Sequence, residues 1–210
     1  KFREVMQSNT GCAVIMAGSD SDKNHIDEVV KSLQKYEIPF DIRIFSAHKQ
    51  PSELEAVIRE YNEVSGSVAY VAVAGGVDAL SGTLSYHSFS PVISCPPDGL
   101  ENRTCLLNPP GSSNSTIYRS TNVGRFIAQM YSGVNPKFRG LLEKEKVIKI
   151  NSLREADVNF QRRYGSGSSR RRCRSPTGRR RRSSCCPTAP DSPASARCRC
   201  PACRPAPGWR

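Results

Sequence analysis

No stretch of this 210-residue chain approaches the run of roughly twenty apolar residues that crosses a bilayer, and no apolar signal core opens it. A membrane span is therefore not expected, and the chain reads as soluble and cytoplasmic. Histidine is scarce, at three residues, and tryptophan occurs once. The three histidines and the three cysteines of the first 164 residues (Cys12, Cys95 and Cys105) show no metal-ligand spacing. Thiols so few and so far apart also argue for a reducing compartment rather than a disulfide framework. The sharpest absence is local: residues 165–210 contain no Lys, Leu, Ile, Val or Phe. Such a segment cannot bury enough apolar surface to offset its ordering entropy, and it is expected to be disordered.

That segment also carries twelve Arg against one acid, Asp191, and so supplies eleven of the twelve net positive charges. The basic balance thus says nothing about residues 1–164, which are nearly neutral. Arg clusters between 170 and 182 suit RNA binding or a nuclear signal. Twelve Arg without Lys, mixed with Pro, Ala, Ser and Cys, more closely resemble GC-rich sequence translated in an unintended frame. Nucleic acid is expected as a partner only if this tail is genuine. Its six cysteines lack the paired spacing of a zinc module.

What is present before residue 165 is an alternation of short β-branched runs with amphipathic helical patterns, the signature of βαβ units around a parallel sheet. Cys12 to Met16 is an apolar run that ends in Gly18-Ser19-Asp20-Ser21-Asp22, after which Ile26, Val29, Val30 and Leu33 recur at helical spacing. Phe40, Ile42 and Ile44 alternate with polar residues and lead into Ser46-Ala47-His48-Lys49-Gln50-Pro51. Ser52 and Glu55 have capping-box spacing ahead of Leu54, Val57, Ile58 and Tyr61. Residues 68–74 are almost wholly apolar, as in a strand covered on both faces, and run into Gly75 and Gly76 with a helix expected over 78–86. A fourth strand is expected over 91–95, then a long loop to Asn114 of the kind that is usually functional. Helices are expected over 122–131 and about 137–153. The organisation expected is an extension over 1–10, a domain over 11–164 with its core in 11–131, and the tail.

In an open parallel sheet, ligands bind beyond the carboxyl ends of the strands, so three polar turns should converge on one site. In the first, Gly18, Ser19, Ser21 and Asp22 offer small residues and hydroxyls to a phosphate at a helix N-terminus, with Asp22 able to accept from ribose hydroxyls. Ser21 or Asp22 simply capping the helix explains the same residues. An imidazole, here that of His48, is the side chain best suited to proton transfer at neutral pH, and Lys49 can hold an anion; a solvated loop histidine is the plainer alternative. His25 and His87 fall within helical patterns and read as structural. Cys95 reads as a buried strand residue.

Four ordered motifs then carry a specific resemblance. They are Met16-Ala17-Gly18-Ser19-Asp20-Ser21-Asp22, Ser46-Ala47-His48-Lys49, Ala74-Gly75-Gly76 with Ala79-Leu80-Ser81-Gly82, and Pro91-Val92-Ile93-Ser94-Cys95-Pro96-Pro97. In order and spacing, over about residues 11–131, the chain resembles the PurE family of aminoimidazole ribonucleotide carboxylases and mutases. The resemblance implies a flavodoxin-like three-layer α/β sandwich with a central parallel sheet, a homo-octamer, and neither metal nor organic cofactor. It implies a small ribonucleotide and carbon dioxide as ligands. It also assigns roles: Ser19 and Asp22 to the ribose-phosphate side, Ser46 and Lys49 to anionic groups, and His48 to proton shuttling. Gly75, Gly76 and the turn from Ala79 and Leu80 through Ser81 to Gly82 would wall the pocket for carbon dioxide, with Gly18, Ser21 and Ala47 beside the substrate.

Two subclasses share the chemical step, one using free carbon dioxide and one a carboxyamino substrate. Lys49 and the Ser-Cys-Pro-Pro run resemble the direct carboxylases. Ala17 before Gly-Ser, Gly-Gly-Val-Asp in place of Gly-Arg-Ser-Asn, and the 107–114 loop depart from that pattern. A mutase, a PurE-like carboxylase of another mononucleotide, and a nucleic-acid-binding protein that uses the domain as a scaffold remain the alternatives.

Overall fold

A computed structural model describes residues 2–7, 11–64 and 66–165. The expected disorder of 166–210 lies outside the described residues. Residues through Gly165 form one unit. Its elements are helix α1 (Phe2–Gln7), strand β1 (Cys12–Ala17), helix α2 (Lys23–Lys35), strand β2 (Phe40–Ile44), helix α3 (Pro51–Asn62), strand β3 (Val68–Val73), helix α4 (Leu80–His87), strands β4 (Val92–Ser94) and β5 (Ser115–Thr116), and helices α5 (Val123–Tyr131) and α6 (Pro136–Tyr164).

The five strands form one parallel sheet in the order β2-β1-β3-β4-β5. This is the flavodoxin-like arrangement, with helices on both faces. Every residue of β1 and β3 is buried, which accounts for their unbroken apolar runs. Alternate residues of the two strands point to opposite layers. Ala13, Ile15, Val71 and Val73 meet α2, α5 and α6 through Val29, Leu33, Ile127 and Phe138. Val14, Met16, Tyr70 and Ala72 meet α3 and α4 through Leu54, Ile58 and Leu84. The stretch expected to be an extension holds α1, whose Met6 is buried in this second layer.

Several local expectations change. The Ser52–Glu55 capping box does not form, because Pro51 takes the first helical position of α3, where its fixed φ and missing N–H cost nothing, and Gln50 precedes it without a side-chain cap bond. Helix α4 starts at Leu80 rather than Asp78. Strand β2 lies at the sheet margin, and Ile42 and Ile44 are 38% and 48% exposed, so the apolar members of its alternation are only half covered. Strand β5 was not expected. Helix α6 runs eleven residues past the expected end at 153, to Tyr164, with Gly165 as its C-cap. Its apolar spacing fades there, but no breaker intervenes. Among the described residues, no helix is long and apolar enough to cross a membrane.

Candidate active site

The three polar turns meet, as the parallel topology requires, at the carboxyl end of the sheet. The first begins hard against β3: Gly18 N–H donates to Val73 O at 2.9 Å. Ser19 then caps a single 3-10 turn, Asp20–Asp22, by accepting from the Ser21 N–H at 3.2 Å, and the Ser21 hydroxyl donates to the same oxygen at 2.9 Å. Neither Ser21 nor Asp22 caps α2 through its side chain; the side-chain cap present is that of Ser19 on the 3-10 turn. Asp22 stands at the head of α2 without a side-chain cap bond. Its carboxyl is lifted above the usual range by burial and by the charge of Asp98, against the pull of His25 and Ser21.

The second turn is closed by Ser46, whose Oγ accepts the Lys49 N–H at 3.3 Å while its carbonyl accepts the Gln50 N–H at 2.8 Å. His48 is thereby presented at the exposed tip. The third turn is stitched down by the long loop after β4. Asp98 Oδ2 accepts the Gly76 N–H at 2.7 Å. Thr104 Oγ1 donates to Gly76 O at 3.1 Å and accepts the Asp78 N–H at 2.9 Å. Buried Asp78 in turn accepts from the Ser81 N–H at 2.9 Å and the Ser94 hydroxyl at 2.8 Å. Gly76 sits at φ +65, where a side chain would be strained, although a Cβ there would meet no neighbouring atom.

Between these turns lies a cleft of about 240 Å³. Gly18, Ser19, Ser21 and Asp22 line it from the first turn, Ser46, Ala47 and His48 from the second, and Gly75, Ala79 and Leu80 from the third. Lys49, Gly76, Ser81 and Gly82, all expected at the site, are not among the lining residues. Ala74 and Val77 also line it; the sequence places both at the third turn but assigns neither a role, because their apolar side chains carry no chemistry of their own. The three domain cysteines are buried and free. Burial, and then the charge of Glu28, pushes the Cys95 thiol up to about 12, so the His25 ring 3.3 Å from its sulfur does not face a thiolate. Among the described residues, no three metal-ligating side chains cluster.

A hydroxyl-bearing turn ahead of a helix, an imidazole and the Gly75 turn around one cleft at the strand tips of a parallel sheet define a flavodoxin-like α/β protein with a cleft at its strand ends. Within that class the chain belongs to the AIR carboxylase family, whose profile matches residues 12–149. It is 32% identical over 163 residues to the bifunctional phosphoribosylaminoimidazole carboxylase/phosphoribosylaminoimidazole succinocarboxamide synthetase of Rattus norvegicus, covering 75% of this chain and 38% of the relative. The chain thus spans well under half the length of that relative. It is 27% identical over 160 residues to the N5-carboxyaminoimidazole ribonucleotide mutase of Mycobacterium leprae, covering 72% of this chain and 92% of that one. The crystal structure of Treponema denticola PurE shares the fold with a TM-score of 0.66 at 23% identity, over 71% of this chain and 98% of that one.

Proposed function

We propose that this chain is an aminoimidazole ribonucleotide carboxylase that joins carbon dioxide to the ring carbon beside the exocyclic amine, reversibly. The observation that carries the reading is that His48 and the Gly18–Asp22 turn line one cleft with Gly75. The phosphate end of the nucleotide belongs at the first turn, where Ser19 and Ser21 present hydroxyls at the head of a helix. Asp22 accepts from the ribose hydroxyls, and Ser46 and Ala47 border the ring. Exposed Lys49 acts on the substrate's anionic groups.

The amine nitrogen makes the neighbouring ring carbon enamine-like. Its electron pair forms the new bond to carbon dioxide, whose displaced π pair becomes the carboxylate. The ring carbon is then tetrahedral and still bears its hydrogen. His48 takes that proton, and the C–H pair restores the aromatic ring; the same imidazole returns the proton in the reverse direction. A small cleft favours the step by holding carbon dioxide beside the carbon and limiting water.

Lys49 and the Ser94-Cys95-Pro96-Pro97 run support the direct carboxylase. Likeness to the mycobacterial mutase favours the second reading, in which the carboxyamino form first releases its carbon dioxide to the same ring carbon. Both readings include assembly as a homo-octamer. Ultraviolet assay with bicarbonate or with the carboxyamino substrate separates them: turnover with bicarbonate alone supports the carboxylase. His48→Asn is expected to lose about 100- to 10,000-fold in kcat, and unchanged turnover removes His48 from the chemistry.

A further inference from the structure

His25 lies on the first turn of α2, three residues after Asp22, and its partner is remote in sequence. Its Nε2 is 3.1 Å from the carbonyl oxygen of Cys95 and 3.3 Å from the same residue's sulfur. A carbonyl oxygen only accepts, so Nε2 carries the proton and donates it. Strand order sets β3 between β1 and β4, so this bond links the helix that follows β1 to the end of β4. The intervening β3 runs into Ala74 and Gly75, which line the cleft.

The segment beyond Cys95 transmits the tie. Pro96 and Pro97 fix the backbone direction, and the next residue, Asp98, accepts the Gly76 N–H. Cys95 is also anchored from below, its N–H donating to Ala72 O at 2.8 Å. Beyond the Gly18 N–H bond to Val73 O at the base of the turns, this hydrogen bond is a second tie between the wall carrying Asp22 and the wall carrying Gly75. Asp22 on one wall and Asp98, which is bonded to Gly76 behind the other, are like charges that repel.

We propose that His25 is a positioning residue that fixes the separation of the two cleft walls and thereby sets ribonucleotide affinity without entering proton transfer. This rests on the proposed function. The test uses the full chain, with binding of aminoimidazole ribonucleotide measured by calorimetry, steady-state turnover, and a thermal melt. His25→Leu is expected to weaken binding about tenfold and to raise KM in proportion, with kcat within about twofold of the parent. His25→Gln, whose amide extends a donor towards Cys95 O, is expected to recover affinity to within about threefold. A merely structural histidine would shift the melt and leave KM in place. If His25→Leu does not melt cooperatively, His25→Asn, one methylene shorter than Gln, carries the same comparison against His25→Gln. An unchanged KM, or a fall in kcat at constant KM, overturns the proposal alone. A parent chain that neither binds nor converts the ribonucleotide overturns the proposed function and this inference with it.

Discussion

The contact between α2 and α5 admits a stringent test at Gly124. A Cβ built there would lie 2.1 Å from Ser32 O and 2.9 Å from Ser32 Oγ, where ordinary contact begins near 3.4 Å. One helix must retreat by more than an ångström. Helix α2 is poorly placed to do so, because Val29 and Leu33, on either side of Ser32, are wholly buried against the sheet. Ser32 is bonded twice more, accepting the Gly124 N–H at 2.8 Å and donating to Thr121 O at 3.0 Å. Overpacking of this kind costs about 3 kcal/mol, and the strained hydrogen bonds add about 1 kcal/mol. The better helix propensity of Ala returns about 1 kcal/mol. The net loss of about 3 kcal/mol predicts that Gly124→Ala melts roughly 6–12 °C below the parent in calorimetry or circular dichroism. Gly140, inside α6, is the control: a Cβ there meets nothing within 4 Å, and Gly140→Ala should melt roughly 2–4 °C higher. If Gly124→Ala melts at or above the parent, the close approach of the helices is wrong.

Glu145 ties α6 to the body, accepting from the Tyr36 hydroxyl at 2.6 Å, Arg125 at 2.6 Å, and Lys35. Burial alone would raise this carboxyl, but those hydrogen bonds and charges outweigh it and bring it to about 2, from 4.5. A folded pKa below the unfolded one contributes stability above the unfolded value that is lost as pH falls through 4.5 towards 2. Glu145→Gln should therefore lower the melting temperature at pH 7, with the gap narrowing steadily as pH falls from 4.5 towards 2; after allowance for solvent screening the contribution is about 1–2 kcal/mol, and a gap that stays constant with pH contradicts it. Asp78→Ala leaves the buried Ser94 hydroxyl without its acceptor and should cost about 2–3 kcal/mol in a urea titration. A midpoint within error of the parent would show that the third turn does not depend on that carboxylate.

How much was legible in the sequence follows from how far each signal reaches along the chain. Strands β1 and β3 are readable because burial on both faces leaves six apolar residues in a row, and α2 because Ile26, Val29 and Leu33 keep helical period. Strand β5 has two residues, too few for any period. The last eleven residues of α6 are hidden for the opposite reason: its helix formers continue after the apolar spacing that announces a helix has stopped. The Ser52–Glu55 spacing misleads because Pro51 competes for the same helix start. At the cleft, ten of the fourteen expected residues are lining residues, since a parallel sheet gathers its βα turns whatever their sequence separation. Lys49 falls outside because the Ser46 turn sets its neighbour His48 on the cleft side. His25 reads as an ordinary helix residue because its partner is 70 positions away, and no local pattern encodes that pairing.

The register of the sheet has a consequence for the chain as it is made. Cys12 of β1 pairs with Val68 of β3, and a ribosome adding roughly 5–20 residues per second needs on the order of seconds to deliver one after the other. Until then the most apolar strand of the protein has a neighbour on one side only, β2. The interval between emergence of β1 and arrival of β3 is when a nascent chain is most exposed to sticking to others, and slower translation across 45–67 would lengthen it.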